Sequence, residues 1–137
     1  MAEELLLDTG AFVALVNPDE KQHAACVSVL ANWRGSIVTT EAVLTETLSL
    51  VGTRPGYQQI CLEFFLRGAF VLFPVTITSL ERVAILLKKY RDVPMDFADA
   101  TLVALGEQLE TNLIFTLDRR DFSIYRLNNK ASFRIVP

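Results

Sequence analysis

The sequence predicts an α/β fold, an α/β/α sandwich around a central, mostly parallel sheet of four to five strands. Three observations carry that prediction. Short apolar runs, such as Leu5, Leu6 and Leu7 or Leu113, Ile114 and Phe115, are continuous rather than alternating, as strands covered on both faces require. Between them lie stretches whose apolar residues recur at helical spacing. The two patterns alternate from one end of the chain to the other, which is the order of a parallel sheet with crossover helices.

The first strand runs into Asp8, and from Thr9 onward Phe12, Val13, Leu15 and Val16 group as on a helix. Asn17-Pro18-Asp19 makes a turn, and Asn17 or Asp19 is expected to start a second helix reaching about Trp33, with Gly35 beyond its end. Residues 36–39 read as the second strand. Thr40 is a candidate N-cap for a helix over 41–51, and Gly52-Thr53-Arg54-Pro55-Gly56 is a turn signal. A helix is expected over 57–66, a third strand over 70–73 closed by Pro74, and a helix capped by Thr78 or Ser79 that reaches Tyr90. After Pro94 come a helix over 96–109, a fourth strand over 113–116 and a last strand over 133–136.

With 137 residues and no repeat, low-complexity tract or linker, the chain is expected to be one domain, 1–137. A hydrophobic share of 51% excludes a disordered chain and points to apolar surface beyond what one core needs. The formal net charge of −3 means that no global basic field draws a polyanion; any nucleic acid would need a local basic patch or bound cations. Cys26 and Cys61 lack metal-ligand spacing and are expected to be buried free thiols. The acidic N-terminus and the interrupted apolar stretch at 60–76 fit neither a signal peptide nor a membrane span, so a cytoplasmic location is expected.

The acids carry the chemistry. In right-handed crossovers a helix that follows a strand begins at the sheet's carboxyl edge, the edge where open α/β sheets bind ligands. That places Asp8 and Asp118 on this edge, with Asp96 and Asp99 in the first turn of the helix before the fourth strand. Glu46, about a turn and a half into its helix, is expected to point from the same rim; Glu41 sits off the apolar stripe. Each acid has a plainer reading: Asp96 as an N-cap, Asp99 as a helix-dipole partner, Asp118 as a turn residue, Glu46 as a solvated helix acid. Asp8 has none that packing supplies. Four converging carboxylates repel unless a cation sits among them. With oxygen donors and neither His nor Cys at hand, Mg²⁺ or Mn²⁺ suits them better than Zn²⁺. Such a site activates water for in-line attack on a phosphodiester. Thr9 and Thr116 are candidates for hydrogen-bonding ligands or waters, or else plain cap and strand-end hydroxyls. Arg119 and Arg120, beside Asp118, are the candidate phosphate contacts.

These residues carry a resemblance. LLLDTGAFVAL, TTEAVLTETLSLV, DFADATLVAL and FTLDRRDF resemble, in order and spacing, the four acidic motifs of PIN-domain ribonucleases, most of all the VapC-type toxins of VapBC toxin–antitoxin pairs. The resemblance implies a Mg²⁺-dependent endoribonuclease, with Mn²⁺ as the alternative ion and Asp8, Glu46, Asp99 and Asp118 as metal ligands, direct or through water. Asp96 and Asp121 are possible supporting acids. It further implies a homodimer inhibited by a cognate antitoxin. A housekeeping RNA-processing PIN nuclease and a non-catalytic acidic-pocket binding module are the alternatives within that likeness.

Asp8-Thr9-Gly10 after leucines also matches an aspartic protease, but that fold needs an all-β chain with a glycine-rich flap, and here the motif leads into a helix. A phosphate-receiver domain wants paired acids after its first strand, whereas Glu3 and Glu4 precede it. His23 reads as a packing or surface residue.

Overall fold

Leu5, Leu6 and Leu7 have no exposed surface in the computed structural model, which describes residues 3–137. Successive strand side chains point to opposite faces, so three enclosed in a row need helices on both sides of β1 (Glu4–Leu7). β1 is accordingly the middle of a five-stranded sheet ordered β3-β2-β1-β4-β7, with every pairing parallel. Its other members are β2 (Ser36–Thr40), β3 (Phe70–Phe73), β4 (Leu113–Phe115) and β7 (Arg134–Val136). The helices are α1 (Thr9–Val16), α2 (His23–Asn32), α3 (Glu41–Val51), α4 (Tyr57–Leu66), α5 (Ile77–Lys89), α6 (Phe97–Leu109) and the short α7 (Arg119–Phe122). The α/β/α sandwich expected from the sequence is the architecture observed.

The order positions the site. From β1 the chain steps outward to β2 and β3, then returns to place β4 on the other side of β1. The crevice between the carboxyl ends of β1 and β4 is therefore the switch point where ligands bind in open sheets. Leu7 pairs with Phe115, and Asp8 N donates to Phe115 O at 2.9 Å, so Asp8 and Thr116 leave the sheet side by side.

α6 is the buried helix of the fold: all nine residues from Ala98 to Gly106 are enclosed. Gly106 makes this possible at the far end. A Cβ there would meet Thr111 O at 2.9 Å and Leu6 Cδ1 at 3.0 Å. Backbone cannot give way as a side chain can, so Gly106→Ala is expected to lower stability by about 1–3 kcal/mol in urea melts despite alanine's better helix propensity. On the other side of β1, Phe12 meets Phe70 edge-on at 5.4 Å and Phe64 stacks on Phe70 at 4.6 Å, joining α1, α4 and β3. Arg82 grips the nearly enclosed Glu107 with two hydrogen bonds of 2.6 and 2.9 Å, tying α5 to α6.

Several boundaries differ from the sequence reading. The second helix begins at His23, not at Asn17 or Asp19, and ends at Asn32. Asn17 Oδ1 accepts from Asp19 N at 3.0 Å and Asp19 is held by Arg54 at 2.8 Å, so local side-chain bonds stabilise turns where a helix was expected. His23 is a packing residue whose Nδ1 donates to Ala14 O at 2.6 Å. α5 is capped by Thr76 rather than Thr78 or Ser79. Ser79 is its reciprocal partner, donating from N to Thr76 Oγ1 at 3.1 Å and accepting from Thr76 N at 2.8 Å. The last strand starts at Arg134, and a small antiparallel hairpin, β5 (Arg126–Leu127) with β6 (Ala131–Ser132), precedes it unforeseen. Cys26 and Cys61 are free and buried, as expected.

Candidate metal centre

Asp8 occupies the N-cap position of α1, yet its side chain caps nothing. Its Oδ2 instead accepts from Thr116 Oγ1 at 2.6 Å, and that same hydroxyl accepts from Asp118 N at 2.9 Å. Thr116, 1% exposed, thus couples the acid that ends β1 to the loop that follows β4. Asp96 caps α6 as expected, its Oδ1 accepting from Asp99 N at 2.8 Å. Asp118 caps α7, accepting from Asp121 N at 3.0 Å. The stretch after β4, read in the sequence as a turn, is a short helix for this reason.

The six acids Asp8, Glu46, Asp96, Asp99, Asp118 and Asp121 line one cavity of about 570 Å³ at the carboxyl edge, and neither Lys nor Arg is among its lining residues. Carboxylate oxygens of Asp99, Asp118 and Asp121 come within 4.8 Å of one another; Asp8 lies outside that trio, against Thr116. Glu41, by contrast, is exposed, with its carboxylate taken by Val75 N. Arg119 donates to the Pro137 carbonyl, and neither it nor Arg120 lines the cavity.

Burial outweighs what little counter-charge is at hand, and the protonation equilibria show it. Burial first, then the neighbouring charges of Asp8 and Asp96, pushes the Asp99 carboxyl up to about 8. Burial raises Asp8 to about 6, against the lowering effect of the Thr116 hydroxyl and the Thr9 amide. Asp121 is raised by burial and by the Asp118 carboxylate, against the lowering charge of Arg120. One more group is out of balance: Thr9 Oγ1, on a residue that lines the cavity and is 5% exposed, is the one buried side-chain oxygen or nitrogen among the described residues without a hydrogen-bond partner. Crowded acids that resist ionisation and an orphaned hydroxyl in the same wall fit a divalent cation with its water shell, and the oxygen-only donor set fits a hard one.

Comparison with known proteins agrees. The PIN-domain family model matches residues 5–128, which include all six acids. The chain belongs to the PIN-domain family. Ribonuclease VapC26 of Mycobacterium tuberculosis (strain H37Rv) is 31% identical over 135 residues, covering 97% of this chain and 100% of that protein. Among solved structures, M. tuberculosis VapC20, described as a sarcin-ricin loop cleaving toxin, superposes with a TM-score of 0.74 at 21% identity over 80% of this chain and 86% of that one. VapBC2 from Rickettsia felis, bound to a DNA fragment from its promoter, matches at a TM-score of 0.70 and 14% identity over 98% of this chain and 100% of that one. At those identities the structures speak for the fold. PIN nucleases are metal-dependent, and this PIN domain has the acidic cluster that dependence requires. Tyr125, which donates to Asp99 Oδ2 at 2.9 Å, was not singled out from the sequence; in the run Ser123-Ile124-Tyr125-Arg126 nothing in composition or spacing marks it.

Proposed function

We propose that this PIN domain is a Mg²⁺-dependent endoribonuclease, with Mn²⁺ able to replace Mg²⁺, and that it acts as the toxin of a type II toxin–antitoxin pair. The observation that carries the reading is the single cavity that gathers six acids from distant parts of the chain with no basic residue in its wall. Asp8, Glu46, Asp99 and Asp118 hold the ion, directly or through water, while Asp96 and Asp121 support them. When bound, a divalent ion favours ionisation of water and offsets charge on a phosphodiester undergoing in-line attack. The chain's own contribution is placement. Thr116 orients Asp8 and the Asp118 loop together, the Thr9 hydroxyl is left to hydrogen-bond a water or phosphate oxygen, and Leu50, Pro94 and Leu117 narrow the space beside the carboxylates.

RNA is the substrate class we assign, following the ribonuclease relative, and a structured loop of the kind that VapC20 is described as cleaving suits a site this open. Arg119 and Arg120 follow Asp118 directly and provide phosphate contacts at the rim. Arg119→Ala with Arg120→Ala is expected to weaken RNA binding severalfold, with a shallower salt dependence, while Mn²⁺ affinity stays as in the wild type. Filter binding and calorimetry check the two halves, and equal losses in both would count against the assignment.

A cognate antitoxin is the partner, in keeping with a structural neighbour described as a toxin–antitoxin complex from Klebsiella pneumoniae, with a TM-score of 0.65 at 16% identity over 87% of this chain and 90% of that one. The apolar side chains left outside the core support partners as well: Leu50, Leu66, Ile77 and Ile85 are 62%, 78%, 75% and 56% exposed. We assign part of this surface to a homodimer, which light scattering tests. No helix among the described residues is long and apolar enough to cross a membrane, and we place the protein in the cytoplasm. The deciding experiment is cleavage of labelled RNA with Mg²⁺ or Mn²⁺ by the wild type and by Asp8→Asn. Metal-dependent products from the first and none from the second are expected; RNA that is bound but never cut would overturn the enzymatic reading.

A further inference from the structure

Tyr125 belongs to none of the acidic motifs, yet it is built into the centre. Its side chain is completely enclosed, and the rings of Tyr90 and Phe122 each meet it edge-on at 5.1 Å. Phe122 is backed in turn by Phe133 at 5.5 Å. The segment that carries Tyr125 is fastened too. Arg126 N donates to Tyr90 Oη at 2.9 Å, and Arg126 Nη1 donates to the carbonyls of Ser123 and Tyr125 at 2.7 and 2.9 Å. A phenol held on all sides directs its hydroxyl to one acceptor, Asp99 Oδ2 at 2.9 Å. Oδ1 of Asp99 receives no donor among the described residues, so one oxygen is engaged by the protein and one is left to the cavity. Neighbouring acids share the pattern: Asp8 Oδ2 is taken by Thr116, Asp96 Oδ1 by Asp99 N and Asp118 Oδ1 by Asp121 N.

This matters for which ion fits. Mg²⁺ takes a near-octahedral shell with few carboxylate oxygens and several waters, whereas Ca²⁺ takes six to eight oxygens in a flexible shell that admits carboxylates giving one oxygen or both. We propose that Tyr125 is a positioning residue whose hydroxyl, by engaging Oδ2 of Asp99 inside a closed aromatic box, makes Asp99 a one-oxygen ligand and biases the centre toward small octahedral cations over Ca²⁺. The inference rests on the reading of the acidic cavity as a metal centre.

Calorimetric titration of the RNA-free protein with Mg²⁺, Mn²⁺ and Ca²⁺ tests it, with wild type and Tyr125→Phe side by side. Partners of metal ligands are worth about 10–100-fold in affinity, so Tyr125→Phe should lose that much for Mg²⁺ and Mn²⁺. Its affinity for Ca²⁺ should fall less or rise, so the Mg²⁺-to-Ca²⁺ ratio narrows, a change that general loosening of the core does not produce. Unchanged Mg²⁺ affinity, or an equal drop for all three ions, would overturn the proposal. Should Tyr125→Phe fail to fold, the wild type and Tyr90→Phe decide: saturation with Mg²⁺ should shift the near-ultraviolet absorption of the buried tyrosine in both, and no shift overturns the proposal. A wild type that binds none of the ions removes the metal reading and this proposal together. A wild type that binds them beside an unaffected Tyr125→Phe removes this proposal alone.

Discussion

Asp99→Asn is expected to lower RNA cleavage by on the order of 1,000-fold while making the metal-free protein more stable. The loss follows from removing a charge that balances the ion: charge stabilisation by a bound metal is worth several kcal/mol, and each tenfold in rate is about 1.4 kcal/mol. The gain follows from the same burial. Asp99 is 8% exposed, and its carboxyl is pushed to about 8 from an ordinary 3.8, so at pH 7 the native state must hold a proton that the unfolded chain releases. At about 1.4 kcal/mol per unit of pKa this costs up to about 4 kcal/mol at neutral pH. Asparagine carries no charge and still offers an oxygen to the Tyr125 hydroxyl, so most of that cost should disappear. Single-turnover cleavage of labelled RNA and urea melts in chelator measure the two effects. A variant that cuts normally, or that melts earlier than the wild type, would contradict the account. Opposite signs for activity and stability are what a site assembled for function at the expense of folding should give.

The metal-free protein is expected to lose stability as the pH rises from about 5 to above 8, and Mg²⁺ is expected to restore it. Both Asp8, at about 6, and Asp99, at about 8, have native pKa values above the unfolded 3.8. The protonated native form is therefore the favoured one. Their contribution is complete below about pH 4, starts to fall as the unfolded chain ionises, and is lost as the pH passes through 6 and then 8. Together the two carboxyls are worth several kcal/mol across that window, enough to move a melting temperature by many degrees in a domain of this size. A divalent ion binds the ionised carboxylates, so the rise in melting temperature on adding Mg²⁺ should be larger at pH 8 than at pH 5.5. Calorimetric scans with chelator and with Mg²⁺ at both pH values check this. A metal-induced rise that is equal or larger at pH 5.5 would show that these two carboxyls are not where the ion binds.

Much of the architecture was legible because it rests on local pattern. Leu5, Leu6 and Leu7 announced a strand covered on both faces, and the helices over Glu41–Val51 and Tyr57–Leu66 have the bounds expected of them, the first begun by its Thr40 cap. The boundaries that were misjudged lie where side chains compete with the helix. Asn17 and Asp19 form their own turns, and Thr76 and Ser79 cap one another two residues before the expected cap at Thr78. The hairpin of β5 and β6 has only two residues per strand, too few to show any period.

For the site, the acids themselves were legible, since a carboxylate directly after an apolar strand has little reason to be there on packing grounds. Asp8, Glu46, Asp96, Asp99 and Asp118 were expected on one rim, and the fold puts them around one cavity. Asp121 was expected only as a supporting acid, and the fold sets it in the wall of the same cavity with its N–H bound to Asp118 Oδ1.

The sequence by itself determined the strand–helix alternation, the parallel sheet and the edge on which the acids stand, because periodicity and chain handedness are properties of neighbours along the chain. Only the tertiary structure decided that Thr116 holds Asp8, that Tyr125 holds Asp99 and that no cation lines the wall. Those are contacts between residues 108 and 26 positions apart, fixed by how β1, β4 and α6 pack rather than by any local preference.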